Sequence, residues 1–214
     1  MIQIGDQWAI AGFIDKKTWL PEWQEVIVLL AGQLRGPRPL LKMLSNPRRT
    51  RTNPRGDDYF RHRLALAALC LPEIPSDIRT RESEIVDRIT TATFSRWWEW
   101  EINGIAAAVP HLTHALPALG QVNGRMKGTP LLERLSERLR DENSEVREVA
   151  AGAVGKLGAV AATPAILIRL SELLGNEYAG RREAVGRLMA QGVRIFRRWW
   201  RWGVADGDGV KPVR

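Results

Sequence analysis

Apolar residues recur along this chain every three to four positions, while two-residue alternation is scarce, so the pattern predicts helices almost throughout. The first expected helix covers about residues 19–34. Thr18 stands where a cap belongs, Pro21 and Glu22 fall in the first turn, and Gly36-Pro37 stops it. Trp23, Val26, Ile27, Leu30 and Leu34 share one face of it. A short helix over 39–44 and a turn-rich loop over 45–57 follow, and Asp57 opens a strongly apolar helix over 58–71. Pro72 and Pro75 then interrupt the chain. Ser76 starts an amphipathic helix to about residue 91, with Ile78, Ile85, Val86 and Ile89 on its buried side. Two more helices are expected over 94–109 and 110–119, the second containing Pro117. The glycine-rich stretch 120–128 reads as a flexible boundary.

Beyond that boundary the pattern repeats. Thr129-Pro130 returns as Thr163-Pro164, 34 residues on, and Arg134-Leu135-Ser136-Glu137 returns as Arg169-Leu170-Ser171-Glu172, 35 on. Arg147-Glu148-Val149-Ala150-Ala151-Gly152 is echoed by Arg181-Arg182-Glu183-Ala184-Val185-Gly186. A period in this range marks stacked helix pairs, in which each unit has too little apolar surface to fold alone and shares a core with its neighbours. Threonine before proline is a helix start signal, which places caps at Thr129 and Thr163. Leu131, Leu132, Leu135 and Leu139 form the apolar stripe of the first helix. Asp141-Glu142-Asn143 makes its turn, Ser144 caps a helix over 145–157, and Gly158 ends it. The next helix starts at Thr163-Pro164 and ends at Gly175-Asn176, and a last one covers about 179–202.

The net charge of +8 is concentrated. Residues 47–63 and 194–201 each carry a net +4, and the remaining chain is neutral. Arg48, Arg49, Arg51 and Arg55 make one basic patch, and Arg194, Arg197, Arg198 and Arg201 make the other. Such patches suit nucleic acid or an anionic membrane, or else are solvated surface. A single cysteine, Cys70, sits in an apolar run and reads as a packed core thiol in a reducing compartment. The first residues lack a basic stretch followed by a long apolar one, and no apolar segment is long enough to span a bilayer. A cytoplasmic location is expected.

The run Glu145-Val146-Arg147-Glu148-Val149-Ala150-Ala151-Gly152-Ala153-Val154-Gly155-Lys156-Leu157-Gly158 resembles the second helix of a HEAT repeat, where a Val-Arg pair opens the inner helix and small residues let helices stack closely. The resemblance covers about residues 129–192. A second resemblance covers about residues 10–75. Trp19-Leu20-Pro21-Glu22-Trp23-Gln24-Glu25-Val26-Ile27-Val28-Leu29-Leu30-Ala31-Gly32, followed by Arg61-His62-Arg63-Leu64-Ala65-Leu66-Ala67-Ala68-Leu69-Cys70-Leu71, looks like the segment that joins the nucleotide-binding module of bacterial NACHT-type signalling NTPases to their HEAT-like sensor region. The phosphate-binding loop of those proteins has no counterpart here, so ATP binding is not carried over. HEAT-like repeats of this small-residue type also occur in bilin lyases (the PBS-lyase-like repeats), which resemble this chain at the repeat level alone.

Catalytic signatures are missing from the sequence. His111-Leu112-Thr113-His114 places two imidazoles three residues apart, but no neighbouring cysteine or carboxylate pair completes a metal set. No nucleophile elbow and no His-Glu-x-x-His run occurs. Six of the nine tryptophans fall in two matching clusters, Trp97-Trp98-Glu99-Trp100 and Trp199-Trp200-Arg201-Trp202, read as core and inter-repeat packing. The second cluster ends a helix with Arg187, Arg194, Arg198 and Arg201 on one face and Val185, Leu188, Met189, Phe196, Trp199 and Trp200 on the other. That helix reads as a solenoid cap, with Trp199, Trp200 and Trp202 as candidates for an exposed aromatic surface or for a membrane interface.

These signals predict an all-α solenoid of five or six stacked antiparallel helix pairs. Residues 1–120 form the region after an NTPase module, 121–128 a linker, 129–202 the HEAT-like repeats and 203–214 a disordered tail. The expected function is a non-catalytic protein-binding scaffold or sensor, with no cofactor, metal or small-molecule substrate. Its concave face is bordered by Arg147, Glu148, Arg181 and Arg182, and its partner is a protein such as a signalling NTPase. Binding of nucleic acid or an anionic membrane through the arginine patches, and a bilin lyase-like activity, are the alternatives.

Overall fold

A computed structural model describes residues 13–14, 17–46 and 58–175. The basic patches at 48–55 and 194–201, Arg181, Arg182, and the cluster Trp199, Trp200 and Trp202 lie outside the described residues. Within them the chain is mostly helical: α1 Pro21–Gln33, α2 Arg38–Ser45, α3 His62–Cys70, α4 Ser76–Arg81, α5 Ser83–Ile102 and α6 His111–Val122. After α6 come a two-stranded hairpin, β1 Arg125–Met126 and β2 Thr129–Pro130, then α7 Leu131–Arg138 and α8 Ser144–Leu157. A 3-10 turn Gly158–Ala161 leads to α9 Pro164–Gly175.

The N-terminal helices keep the predicted order but move their ends. Leu20, not Thr18, is the N-cap of α1, and Pro21 takes the first helical position, where its missing N–H leaves no bond unmade. The buried stripe of α1 and its exit is Ile27, Ala31 and Leu34, while Val26 stays about half exposed. α3 starts at His62, four residues later than predicted. Asp58 caps it from a distance, its carboxylate accepting the His62 and Arg63 N–H groups at 2.8 Å each, while Arg61 bends through φ 57. Because α3 is apolar on nearly every side, it is buried from Arg63 to Ala68 and again at Cys70, with α1, α2, α5 and α6 packed around it.

The boundary predicted near residue 92 does not exist. The chain breaks at Glu82 instead, and α5 then runs unbroken for 20 residues. Its buried positions Ile85, Ile89, Thr93 and Trp97 recur every four residues, with Val86, Thr90 and Phe94 beside them. Period and length, with no proline inside, carry the helix through the junction. Pro117 is accommodated inside α6, where it withholds the N–H that the Thr113 carbonyl would accept.

The segment expected to be a linker is structured. α6 extends through Gly120 and Gln121 to Val122, and Asn123 ends it in the left-handed region at φ 49. Lys127 at φ 51 and Gly128 at φ 86 then turn the hairpin, pairing Met126 with Thr129 and Arg125 with Pro130. α5 holds β1 in place: the Arg125 N–H donates to Asp87 Oδ1 at 2.8 Å, and Thr91 Oγ1 donates to the Arg125 carbonyl at 3.4 Å. Thr129 therefore lies in a strand and caps nothing. The first N–H groups of α7 go backwards instead, Leu131 to the Gly124 carbonyl and Leu132 to Asn123 Oδ1, at 3.0 Å each. α8 is capped by Asn143, whose side chain accepts the Glu145 N–H at 2.8 Å, so Ser144 is its first residue. Gly158, at φ 74, ends α8 as predicted.

Two rows of helices emerge. α3, α6 and α8 pack side by side in sequence, while α5, the hairpin, α7 and α9 follow one another alongside. One hydrophobic cluster runs through both, from Ile14 to Leu170. α5 and α7 are joined chiefly through the hairpin, which packs against both.

Candidate functional site

Where the hairpin joins α5 to α7, a groove of about 200 Å³ opens. Its floor is apolar: Phe94 and Trp98 from α5, Met126 from β1, and Leu131 and Leu135 from α7. The Phe94 and Trp98 rings are tilted at 5.7 Å, which steadies the half-buried indole. Cations stand at its rim. Lys127 projects from the hairpin turn, and Arg134 and Arg138 sit on successive turns of α7. Arg138 is held by Asp141 at 3.0 Å, whereas Lys127 and Arg134 make no ion pair or hydrogen bond among the described residues. No carboxylate lines the groove.

The three histidines meet elsewhere. His62 is stacked against Trp19, with centroids 5.6 Å apart, and its Nε2 donates to the Thr18 carbonyl at 2.9 Å. His111 meets the His62 ring edge-on at 5.0 Å. Burial holds the His111 pKa below its usual value, the neighbouring His62 and His114 push it the same way, and Asp58 opposes them weakly. Among the described residues no group of three or more histidines, cysteines and carboxylates is arranged to hold a metal ion.

A second cleft, of about 290 Å³, holds Lys156 and Glu101, paired at 2.5 Å across α8 and α5. Lys156 Nζ also lies 4.9 Å from the centre of the fully buried Trp97 ring. This ion pair and cation–π contact tie the two helix rows together. Cys70 is buried with its sulfur 3.9 Å from the Ile27 carbonyl, and burial pushes its thiol far above the usual range, as befits an unreactive core residue.

Arg147 serves the fold. Its Nη1 donates to the Asp141 and Glu142 carbonyls at 2.7 and 2.8 Å, which closes the turn between α7 and α8. The concave-face role expected for it is thus preceded by a structural one, and charge reversal there would break the turn itself. Glu148 is exposed one residue later. The groove residues were visible in the sequence as separate signals, Trp98 in an aromatic cluster, Lys127 in a glycine-rich stretch and Arg134 in the repeat. Nothing in their spacing joined them, because the hairpin that does so spans six residues with no alternating pattern.

No protein-family model matches the chain, and no curated protein or solved structure is significantly similar to it. No helix among the described residues is long and apolar enough to cross a membrane.

Proposed function

We propose that this chain is a non-catalytic protein-interaction module, an α-solenoid of stacked antiparallel helix pairs whose working surface is the groove between α5, the hairpin and α7. The observation that carries this reading is the interruption of one helix row by the hairpin, which leaves a recessed groove with the half-buried Trp98 in its apolar floor beside Lys127 and Arg134, neither of which makes an ion pair among the described residues. The side-by-side packing of α3, α6 and α8 supports the solenoid part of the reading, since stacked pairs share a core row by row. A recessed apolar floor with a polar rim has the anatomy of a protein-binding surface. A signalling NTPase is the partner class that the NACHT resemblance implies.

Photocrosslinking from position 95 tests the module. Ser95 is exposed on the groove wall, so a photoreactive residue there reaches whatever occupies the groove. In cells that express the full chain, a recurrent protein adduct at position 95, absent from a control position such as Thr80, is the expected result. Adducts confined to nucleic acid or lipid would overturn the reading.

A further inference from the structure

We infer that the groove receives an acidic, amphipathic segment of the partner, one apolar side chain entering between Phe94, Trp98 and Leu135 while flanking carboxylates meet Lys127 and Arg134. The inference rests on the protein-binding reading above and adds the chemistry of the partner to it.

Size points to a side chain. A volume of about 200 Å³ lies below the roughly 300–1,000 Å³ of sites that enclose cofactors and drug-sized ligands. It has room for an anchoring residue of a docked helix or loop, the usual way in which a short segment gains affinity from a hydrophobic groove. Charge points to an acidic neighbour. Some cations on the described surface are matched by carboxylates, Arg38 by Glu82 at 3.2 Å, Arg96 by Glu99 at 2.9 Å and Arg169 by Glu172 at 2.7 Å, and beside the groove Arg138 has Asp141. Lys127 and Arg134 are not, and they face a groove with no acidic lining. Carboxylates brought in by a partner would complete the pairing and steer its approach.

The site is also prepared in advance. Lys127 stands in a two-residue turn beside Gly128, and the Asp87 and Thr91 side chains pin the strand that leads into it. Arg134 projects from a helix whose first turn is tied to Asn123 and Gly124. Little order remains to be imposed on this rim when a partner arrives. A phosphate backbone fits less well. Single-stranded nucleic acid is held by a basic track beside aromatic faces on which bases stack. Here the Phe94 ring is buried and the half-buried Trp98 is the one aromatic face the groove offers, so no row of rings is laid out for successive bases.

The test uses the full chain and two fluorescein-labelled synthetic helices, each with leucines on one face, one bearing glutamates and the other lysines on the opposite face. The glutamate peptide is expected to bind by fluorescence anisotropy, more weakly as salt rises. The double variant Lys127→Glu/Arg134→Glu is expected to weaken it about tenfold or more and to gain binding of the lysine peptide. Ser95→Trp, which fills the groove without touching its charge, is expected to weaken the glutamate peptide with the thermal melt unchanged. Because Lys127 is exposed and Arg134 unpaired, the melt of the double variant checks that lost binding is not lost folding. The inference is overturned by glutamate-peptide binding that ignores these substitutions, by its absence up to about 1 mM, or by a labelled oligothymidylate binding in its place. Protein crosslinks from position 95 that persist in any of these cases would retain the module and discard only the acidic partner.

Discussion

Thr129-Pro130 and Thr163-Pro164 are one dipeptide in two structures. At the second copy Pro164 opens α9, and the hydroxyl of Thr163 accepts the Ile166 N–H at a long 3.4 Å, close to the start that sequence rules predict. At the first copy the same two residues form a strand, and α7 begins at Leu131 with its N–H groups answered by Asn123 and Gly124. What precedes each copy decides the outcome. A 3-10 turn leads into Thr163, whereas Asn123, Lys127 and Gly128 all turn through positive φ ahead of and beside Thr129. A local start signal is worth about 1 kcal/mol. A hairpin that satisfies its own backbone and docks on α5 outweighs it. The hairpin also forms one wall of the groove, and no such element precedes the second copy.

Substitutions that separate the two copies should rank as follows. Leu131 and Ile166 are both fully buried just inside their helices, and replacing either with alanine should cost about 2–5 kcal/mol in a denaturant melt. Leu131→Ala is expected to be the more severe, because its surroundings are fixed by the hairpin and α6. Equal losses would show that the hairpin adds no rigidity. Gly124→Ala comes next, at about 1–3 kcal/mol, since a Cβ at that position would collide with Thr90 on α5. Its effect should include loss of peptide binding in the groove, which no alanine at the second copy would cause.

Caps are the finer probe. Asn123→Ala should destabilise by about 1 kcal/mol, because it removes the acceptor of the Leu132 N–H and leaves a non-glycine residue in a left-handed turn. Thr163→Ala should lose only about a few tenths, its bond being near the geometric limit. Amide hydrogen exchange at Leu132 and Ile166 would report the two separately, and a larger loss at Ile166 would reverse the assignment.

The smallest effect is one of pH, and it should not distinguish the copies. The folded His111 pKa lies below the ordinary 6.5, chiefly through burial and secondly through His62 and His114. The folded chain therefore binds fewer protons than the unfolded one. The stability that this represents is fully present above about pH 6.5 and is lost as pH falls through the lowered folded value. Between about pH 7 and 5 the melting temperature should decline, the decline should flatten in His111→Gln, and the protection factors of Leu132 and Ile166, corrected for the intrinsic exchange rate, should fall in parallel. A decline confined to one of them would place a titrating group near that copy instead.

Helical content, the apolar stripes of α5 and α7, the buried Cys70 and the stop at Gly158 were legible in sequence. Each depends on periodicity or on one residue's conformational preference, and both act over a few positions. The helix break at Glu82, the capping of α3 by Asp58, the clamp made by Arg147 and the site at Lys127 and Arg134 were not. Those arise from groups brought together by packing, and hydrogen bonds formed across a turn or between helices leave no repeat in the order of residues. Sequence alone determined that this chain would pair helices around a shared core. Tertiary structure decided where the row of helices opens, because the hairpin's backbone bonds and its anchorage on α5 outweigh the start signal written in its own residues.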